Sequence, residues 1–285
     1  MSCSNSTQST DLSGLNLNEE LHERFVQCSL RAISQTTVYD GSFIPQSSDA
    51  PFQRTVRVRL YREGCLKVCH ELTQAYPEDD VLLLSFASGT SPGGMYKGDR
   101  RQEMKSQEEY ICTKSGLYEC LRSERASRFY EVNRSLKGID KPLQSALLIY
   151  SPRVPVILSP SELIAVSIVS VPAVLASSYR MQRKLARYDE VETETIIQKI
   201  MTARIRSIFQ IAVEHAHRVI VLGAFGCGVF SNSPHIIAQC FSDVIHDFGG
   251  YFKEIAFSII DPRDEVVRPF VDLCQCFEGN ISEPL

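Results

Sequence analysis

The sequence of 285 residues has no tryptophan and no excess of charge of either sign. It has 30 lysines and arginines against 34 aspartates and glutamates, which gives a formal net charge of −4. A general nucleic-acid-binding protein carries a basic patch or stripe, so this balance argues against that class. No apolar run approaches the roughly 18 residues that a membrane-spanning helix needs. We therefore expect no binding to membranes and no general binding to nucleic acid.

Metal-site and disulfide patterns are also missing. The ten cysteines include two close pairs, Cys65 with Cys69 and Cys274 with Cys276, but neither has a second pair at zinc-site spacing. Residues 1–7 have neither the basic start nor the apolar segment of a secretory leader. We expect free thiols in a reducing compartment, cytoplasmic, with the nucleus or a host cytosol as alternatives. The sequence predicts no metal and no cofactor.

Apolar runs alternate with helical patterns along the chain. Val81–Leu84 and Val219–Leu222 are short and fully apolar, which is typical of buried strands. Further strands are predicted over 55–60, 146–150, 165–169 and 255–260, with a proline-rich turn region between the second and third of these. Helices are predicted to begin at Asn18 and to cover 66–73, 108–121, 188–217 and 236–244. Strands alternating with helices predict a three-layer α/β fold, a mixed sheet with helices on both faces.

Composition along the chain predicts the domain organisation. Residues 1–15 are rich in Ser, Thr and Asn, and we expect a mobile tail. No repeat and no linker divides the rest, so residues 16–285 are predicted to form one domain with an N-terminal helical extension. His215 and His217, near the end of the long helix, are expected at the surface or capping the helix.

Glycine-rich segments follow both apolar runs. The first glycine loop, residues 86–95, contains Gly89, Pro92, Gly93 and Gly94, and the second, residues 223–230, contains Gly223, Gly226 and Gly228. Neither matches the G-x-x-x-x-G-K-[ST] or G-x-G-x-x-G nucleotide motifs. If the two preceding strands are parallel neighbours, the loops face each other across one cleft. Backbone N–H groups uncovered at glycines then make an anion site that needs no lysine.

Two adjacent carboxylates, Glu108 and Glu109, follow the first glycine loop at the predicted start of a helix. One interpretation is structural, since acidic residues in a first turn offset the helix dipole. Beside a bound diphosphate, a partly buried carboxyl can instead stay protonated and donate to a leaving oxygen. Glycoside cleavage needs such an acid and passes through an oxocarbenium-like transition state. ADP-ribose offers both a diphosphate and a labile anomeric bond.

Between about Val56 and Asp261 the chain contains six motifs in order: Ser85–Ser88, Pro92–Gly94, Gln107–Glu109, Ser115 with Leu117–Tyr118, Tyr150–Pro152 and Leu222–Phe230. Together they resemble the microbial-type poly(ADP-ribose) glycohydrolases, which are macrodomain-fold enzymes. The resemblance implies a macrodomain-like fold and a glycoside hydrolase that removes ADP-ribose from poly- or mono-ADP-ribosylated protein without a metal.

The resemblance also implies roles for individual residues. Glu109 is expected to be the catalytic acid that later activates water, and Glu108 to hold hydroxyls near the scissile bond. Phe230 is expected to pack on the distal ribose. The implied substrate-binding positions are Ser85, Ala87, Gly93, Gly94, Gln107, Gly226, Cys227, Gly228, Val229 and Phe230.

The sequence departs from the family pattern in three places. Met95 stands where the family has a third glycine, Ser85 stands where it has Asn, and the interval to Gln107 is about four residues longer. Asp99, inside that insertion, is a spare carboxylate. The departures leave two alternatives open: a macrodomain reader that binds ADP-ribose without hydrolysis, and a hydrolase for a specialised acceptor such as arginine, ubiquitin or a nucleic-acid base.

Overall fold

The structure is a computed structural model that describes residues 18–41, 56–99 and 103–278. The predicted tail, residues 1–15, lies outside the described residues. The first helix, α1 (Glu19–Gln35), begins where predicted, because the Asn18 side chain accepts a 2.8 Å hydrogen bond from the Leu21 N–H. Its Phe25 packs against Ile157.

The described residues form a mixed sheet of seven strands in the order β1-β4-β5-β3-β6-β7-β2. The strands are β1 (Thr37–Tyr39), β2 (Arg57–Tyr61), β3 (Val81–Phe86), β4 (Leu148–Ser159), β5 (Glu162–Val171), β6 (Val219–Leu222) and β7 (Glu254–Ser258). From β5 to β2 every pair is parallel, whereas β4 runs antiparallel to β1 and β5. The parallel strands therefore end at one common edge.

Helices cover both faces of this sheet. They are α2 (Cys65–Ala75), α3 (Gln107–Lys114), α4 (Leu117–Leu121), α5 (Ser127–Ser135), α6 (Asp140–Leu143), α7 (Ala176–Leu185), α8 (Glu190–Glu214), α9 (Pro234–Phe248) and α10 (Asp264–Glu278). Side chains alternate along β3, so Val81 and Leu83 pack with α2–α5, and Leu82 and Leu84 pack with α7–α10. The predicted three-layer α/β fold is confirmed. No described helix has the length and apolar character required to traverse a bilayer.

Two element predictions were wrong in detail. The proline-rich region after Tyr150 is not a turn, because β4 continues through it to Ser159 and forms a hairpin with β5. A register irregularity between Ser151 and Val154 accommodates Pro152, as bulges do. The helix predicted over 108–121 is broken at Gly116, where a Cβ would lie 2.7 Å from Ser29 Oγ.

The prediction of a surface or capping position was wrong for His217. Its Nδ1 is 2.9 Å from the Asp80 carbonyl oxygen and its Nε2 is 2.8 Å from Tyr150 Oη, and the side chain is buried. His215 does cap α8, but its ring is half-buried and stacks on Tyr150 at 3.9 Å. Burial lowers the pKa of both imidazoles.

Candidate active site

The strands that precede the two glycine loops are parallel neighbours, as predicted. Val81 pairs with Val219 and Leu83 with Val221, so both loops leave the sheet at the same edge. The rings of Phe86 and Phe225, one from each loop, lie 5.7 Å apart. This edge, next to the point where the strand order reverses, is where open α/β sheets bind ligands.

The first turn of α3 is fastened to the end of β3. Ser106 caps the helix through its Oγ, which accepts from the Glu109 N–H. Both polar atoms of the Gln107 side-chain amide form hydrogen bonds with the main chain of β3. Oε1 accepts from the Phe86 N–H at 2.8 Å, and Nε2 donates to the Leu84 carbonyl at 2.9 Å. Gln107 thus determines where Glu108 and Glu109 lie, since its own polar atoms are engaged by the main chain.

Glu108 is buried at this site, with 2% of its surface exposed. One carboxyl oxygen, Oε2, accepts from the Ser88 N–H at 2.8 Å, and the Gly93 N–H also donates to this carboxyl. Burial raises the pKa of Glu108 to about 8, opposed by these two N–H groups and assisted by the charge of Glu109. A carboxyl in this position keeps its proton near neutral pH.

Glu109 is also buried, and both of its carboxyl oxygens are bonded to the main chain. Oε1 accepts from the Met95 N–H at 3.3 Å and Oε2 from the Lys105 N–H at 2.7 Å. A Cβ on Gly94 would lie 3.3 Å from Glu108 Oε2 and 3.4 Å from Glu109 Oε1. The bare backbone of Gly94 therefore lies against both carboxyls.

The N–H groups of the first glycine loop are used differently from the prediction. We expected them to be free for a phosphate, but those of Ser88, Gly93 and Met95 donate to the two glutamates. The first glycine loop therefore holds the acidic groups. Met95 itself exposes 66% of its surface, so its side chain points away from the protein interior.

The second glycine loop has the open donors. Gly226 adopts φ +74° and its carbonyl accepts from Asn232 Nδ2 at 3.0 Å; Asn232 Nδ2 also donates to the Val174 carbonyl. The Phe230 carbonyl accepts from the Ala176 N–H at 2.9 Å. Within the described residues, no acceptor pairs with the N–H groups of Gly226, Gly228, Val229 and Phe230. Such a set of donors can bind an anion.

The remaining predicted residues lie around these two loops. Ser85 and Ala87 are fully buried, and Ser85 Oγ has no hydrogen-bond partner in the described part of the chain. Burial raises the pKa of the Cys227 thiol to about 12, which leaves it unreactive. Gly228 and Val229 are exposed and Phe230 is half-buried. Asp99, in the insertion, is exposed.

Asn232 was not singled out from the sequence although it fixes the second glycine loop. Its position in Ser231-Asn232-Ser233-Pro234, a turn-forming cluster before α9, is the signal that could have revealed it. Across 18–41, 56–99 and 103–278, no group of three or more His, Cys, Asp or Glu side chains could hold a metal ion.

Comparison with known proteins gives a consistent result. A family model described as "Microbial-type PARG, catalytic domain" matches residues 16–159, just over half of the chain. A comparison of this chain with curated proteins found no match. Among solved structures, poly(ADP-ribose) glycohydrolase from Deinococcus radiodurans in complex with ADP-ribose is 25% identical, with a TM-score of 0.71 over 86% of this chain and 98% of that chain.

Enzymes from Thermomonospora curvata are similarly related. The poly(ADP-ribose) glycohydrolase of that organism is 29% identical, with a TM-score of 0.70 over 88% of each chain. Its complex with the inhibitor ADP-HPD is 28% identical, with a TM-score of 0.69 over 86% of this chain and 88% of that chain. Since the family model spans the strand β3, the first glycine loop and both glutamates, the chain belongs to the microbial-type poly(ADP-ribose) glycohydrolase family, as its motifs predicted.

Proposed function

We propose that the protein hydrolyses the ribose–ribose glycosidic bond of poly(ADP-ribose) and releases ADP-ribose. The observation that carries the proposal is the buried pair Glu108 and Glu109 at the same sheet edge as the open N–H groups of the second glycine loop. The related enzymes of known structure are named poly(ADP-ribose) glycohydrolases, and structures of the Deinococcus radiodurans enzyme hold ADP-ribose.

The second glycine loop would bind the diphosphate. The N–H groups of Gly226, Gly228, Val229 and Phe230 supply donors without adding a cation that would oppose a positive transition state. The half-buried Phe230 ring would pack against the distal ribose and set its angle. With the diphosphate there, the anomeric carbon lies toward Gly94, whose missing side chain leaves room beside the two carboxyls.

The glutamate pair would supply acid and base. The two carboxyls are adjacent and buried, and both lie against the bare backbone of Gly94. Glu109 delivers a proton to the ribose oxygen as the bond from that oxygen to the anomeric carbon breaks. The negative diphosphate stabilises the oxocarbenium-like carbon. Glu109 then accepts a proton from the water whose oxygen bonds to that carbon, which restores the acid.

Glu108 would act on the substrate rather than on the leaving group. Its neutral carboxyl can both donate to and accept from ribose hydroxyls, which orients the ring toward Glu109. A neutral Glu108 also reduces repulsion between the site and a substrate that carries two phosphates.

The test compares release of ADP-ribose from poly(ADP-ribose) by the unmodified protein, Glu109→Gln and Glu20→Gln. Glu20 is an exposed first-turn glutamate of α1, so it controls for a pure helix-dipole role. We expect release by the unmodified protein and Glu20→Gln, and loss of at least 100-fold in Glu109→Gln. Equal rates in all three would refute the role of Glu109.

Two further outcomes separate the alternatives. Calorimetric binding of ADP-ribose with zero turnover on every substrate would identify a reader, the class that Met95 and the longer insertion favour. Turnover confined to ADP-ribosyl-arginine, ubiquitin or a base would identify a specialised hydrolase. Three predictions from the sequence stay predictions: the roles of the individual site residues, one domain over residues 16–285, and a cytoplasmic location.

A further inference from the structure

Four buried oxygen atoms of α3, α5 and the paired strands β3 and β5 have no hydrogen-bond partner among the described residues: Glu108 Oε1, Ser85 Oγ, Tyr130 Oη and Ser170 Oγ. Each belongs to a side chain with at most 2% of its surface exposed. Buried polar atoms without a partner are rare, because each costs about 1–3 kcal/mol.

The four atoms lie on one face of the sheet. Ser85 and Ser170 are register partners on β3 and β5, and they alternate with residues that pack toward α7–α10. Their hydroxyls therefore point to the opposite side, where Tyr130 packs with the α3 residues Ile111 and Cys112. All four oxygens thus lie between the sheet, α3 and α5.

Helix α5, which carries Tyr130, also contacts the first glycine loop. Asn133, one turn after Tyr130, lies against Gly89, where a Cβ would be 3.3 Å from Asn133 Cγ. Gly89 directly follows Ser88, whose N–H donates to Glu108. Burial raises the pKa of Tyr130, and the charge of Glu108 adds to the rise, so the phenol stays neutral.

We propose that Tyr130 is a positioning residue that orients the Glu108 carboxyl and adjusts its protonation through an ordered water shared with Ser85 and Ser170. The two groups make no direct hydrogen bond, and a bridging water with two to four polar partners would satisfy all four oxygens. The inference rests on the proposed function for its catalytic consequence, but not for its effect on Glu108 itself.

The direction of the effect follows from charge. A phenol donating through water stabilises a carboxylate more than a neutral carboxyl, so removing the hydroxyl favours the protonated form. Other titratable groups within reach of Glu108 or Tyr130 are Glu109, Cys112 and Arg134, and the variants below leave them unchanged. Loss of one such hydrogen bond is expected to raise the pKa of Glu108 by about 1.

The test is a ¹³C NMR titration of the Glu108 carboxyl carbon, which requires no turnover. Tyr130→Phe is compared with the unmodified protein and with Tyr76→Phe. Tyr76 is the matched control because its hydroxyl donates to another buried carboxylate, Glu254, at the opposite edge of the sheet. We expect an upward change of about 1 in Tyr130→Phe and none in Tyr76→Phe. Equal Glu108 titrations in all three proteins would overturn the proposal.

Activity and a second variant complete the test. The proposed function needs a neutral Glu108, so kcat/KM should fall as pH rises through the pKa of Glu108, and this limb should move to higher pH in Tyr130→Phe. Ser170→Ala should change the Glu108 titration in the same direction by less, and it decides the question if Tyr130→Phe does not fold. A changed titration in a protein without turnover refutes the proposed function and supports the positioning role.

Discussion

Replacing Gly94 by alanine tests whether the reacting carbon of the substrate lies beside Gly94. Gly94 has φ +66°, in the left-handed region that favours glycine. A Cβ there would lie 3.3 Å from Glu108 Oε2 and 3.4 Å from Glu109 Oε1. The substitution therefore imposes backbone strain and also places a methyl group against both carboxyls.

The two effects can be separated by magnitude. Left-handed backbone costs a residue with a Cβ about 1–2 kcal/mol. Gly138→Ala carries the same strain, since its φ is +52°, but a Cβ there meets nothing within 4 Å. We expect similar losses of unfolding free energy in the two variants. In Gly94→Ala the carboxyls must also shift by a few tenths of an ångström, and misplacement near the reacting atoms is expected to lower kcat/KM about 10- to 100-fold.

The assay pairs urea denaturation with kcat/KM for release of ADP-ribose from poly(ADP-ribose). The expected result is a rate loss confined to Gly94→Ala at comparable stability. If Gly94→Ala kept kcat/KM within about twofold of the unmodified protein, the anomeric carbon could not lie beside Gly94. Equal rate losses in both variants would assign the effect to strain alone.

Three further predictions concern stability and binding. Gln107→Met keeps side-chain length but removes both hydrogen bonds to β3, so urea denaturation should show a loss of about 2–4 kcal/mol. Burial lowers the pKa of His217, so the unfolded chain takes up a proton first as pH falls below about 6.5. Tm should therefore fall with pH in that range, and less steeply in His217→Gln. Gly226→Ala would place a Cβ 2.6 Å from Ala173 Cβ and Asn232 Nδ2, so differential scanning calorimetry should show a larger loss of stability than in Gly94→Ala, with weaker ADP-ribose binding by titration calorimetry.

The parts of the fold that could be predicted are those set by local pattern. β3 and β6 are apolar runs that glycines end, and both the runs and the breaks are readable without tertiary information. The start of α1 at Asn18 and the cap of α3 at Ser106 are local in the same sense. The Glu108–Glu109 pair could be placed near the cleft because it follows the first glycine loop, which leaves the carboxyl end of β3.

What could not be predicted depends on contacts between distant segments. Prolines indicate a turn locally, yet β4 contains Pro152 and Pro155. Strand β1 pairs only with Leu148–Tyr150 of β4. The later part of β4 therefore needs no N–H donor on the side that faces β1, and prolines are tolerated there. His217 looked like a residue at a helix end, but packing places it between Asp80 and Tyr150. The residues next to β4 and to His217 in the sequence indicate neither the strand pairing nor the hydrogen bonds.

The use of the two glycine loops was the least readable property of the site, and it has a physical cause. An N–H group has one hydrogen, so a loop that donates to Glu108 and Glu109 cannot donate with the same groups to a diphosphate. Burying two carboxyls beside the reaction requires those donors, because unpaired buried charge is costly. In the proposed function the diphosphate is therefore bound elsewhere, by the N–H groups of Gly226, Gly228, Val229 and Phe230. This division would orient the substrate, with its phosphates on the second glycine loop and its anomeric carbon toward α3.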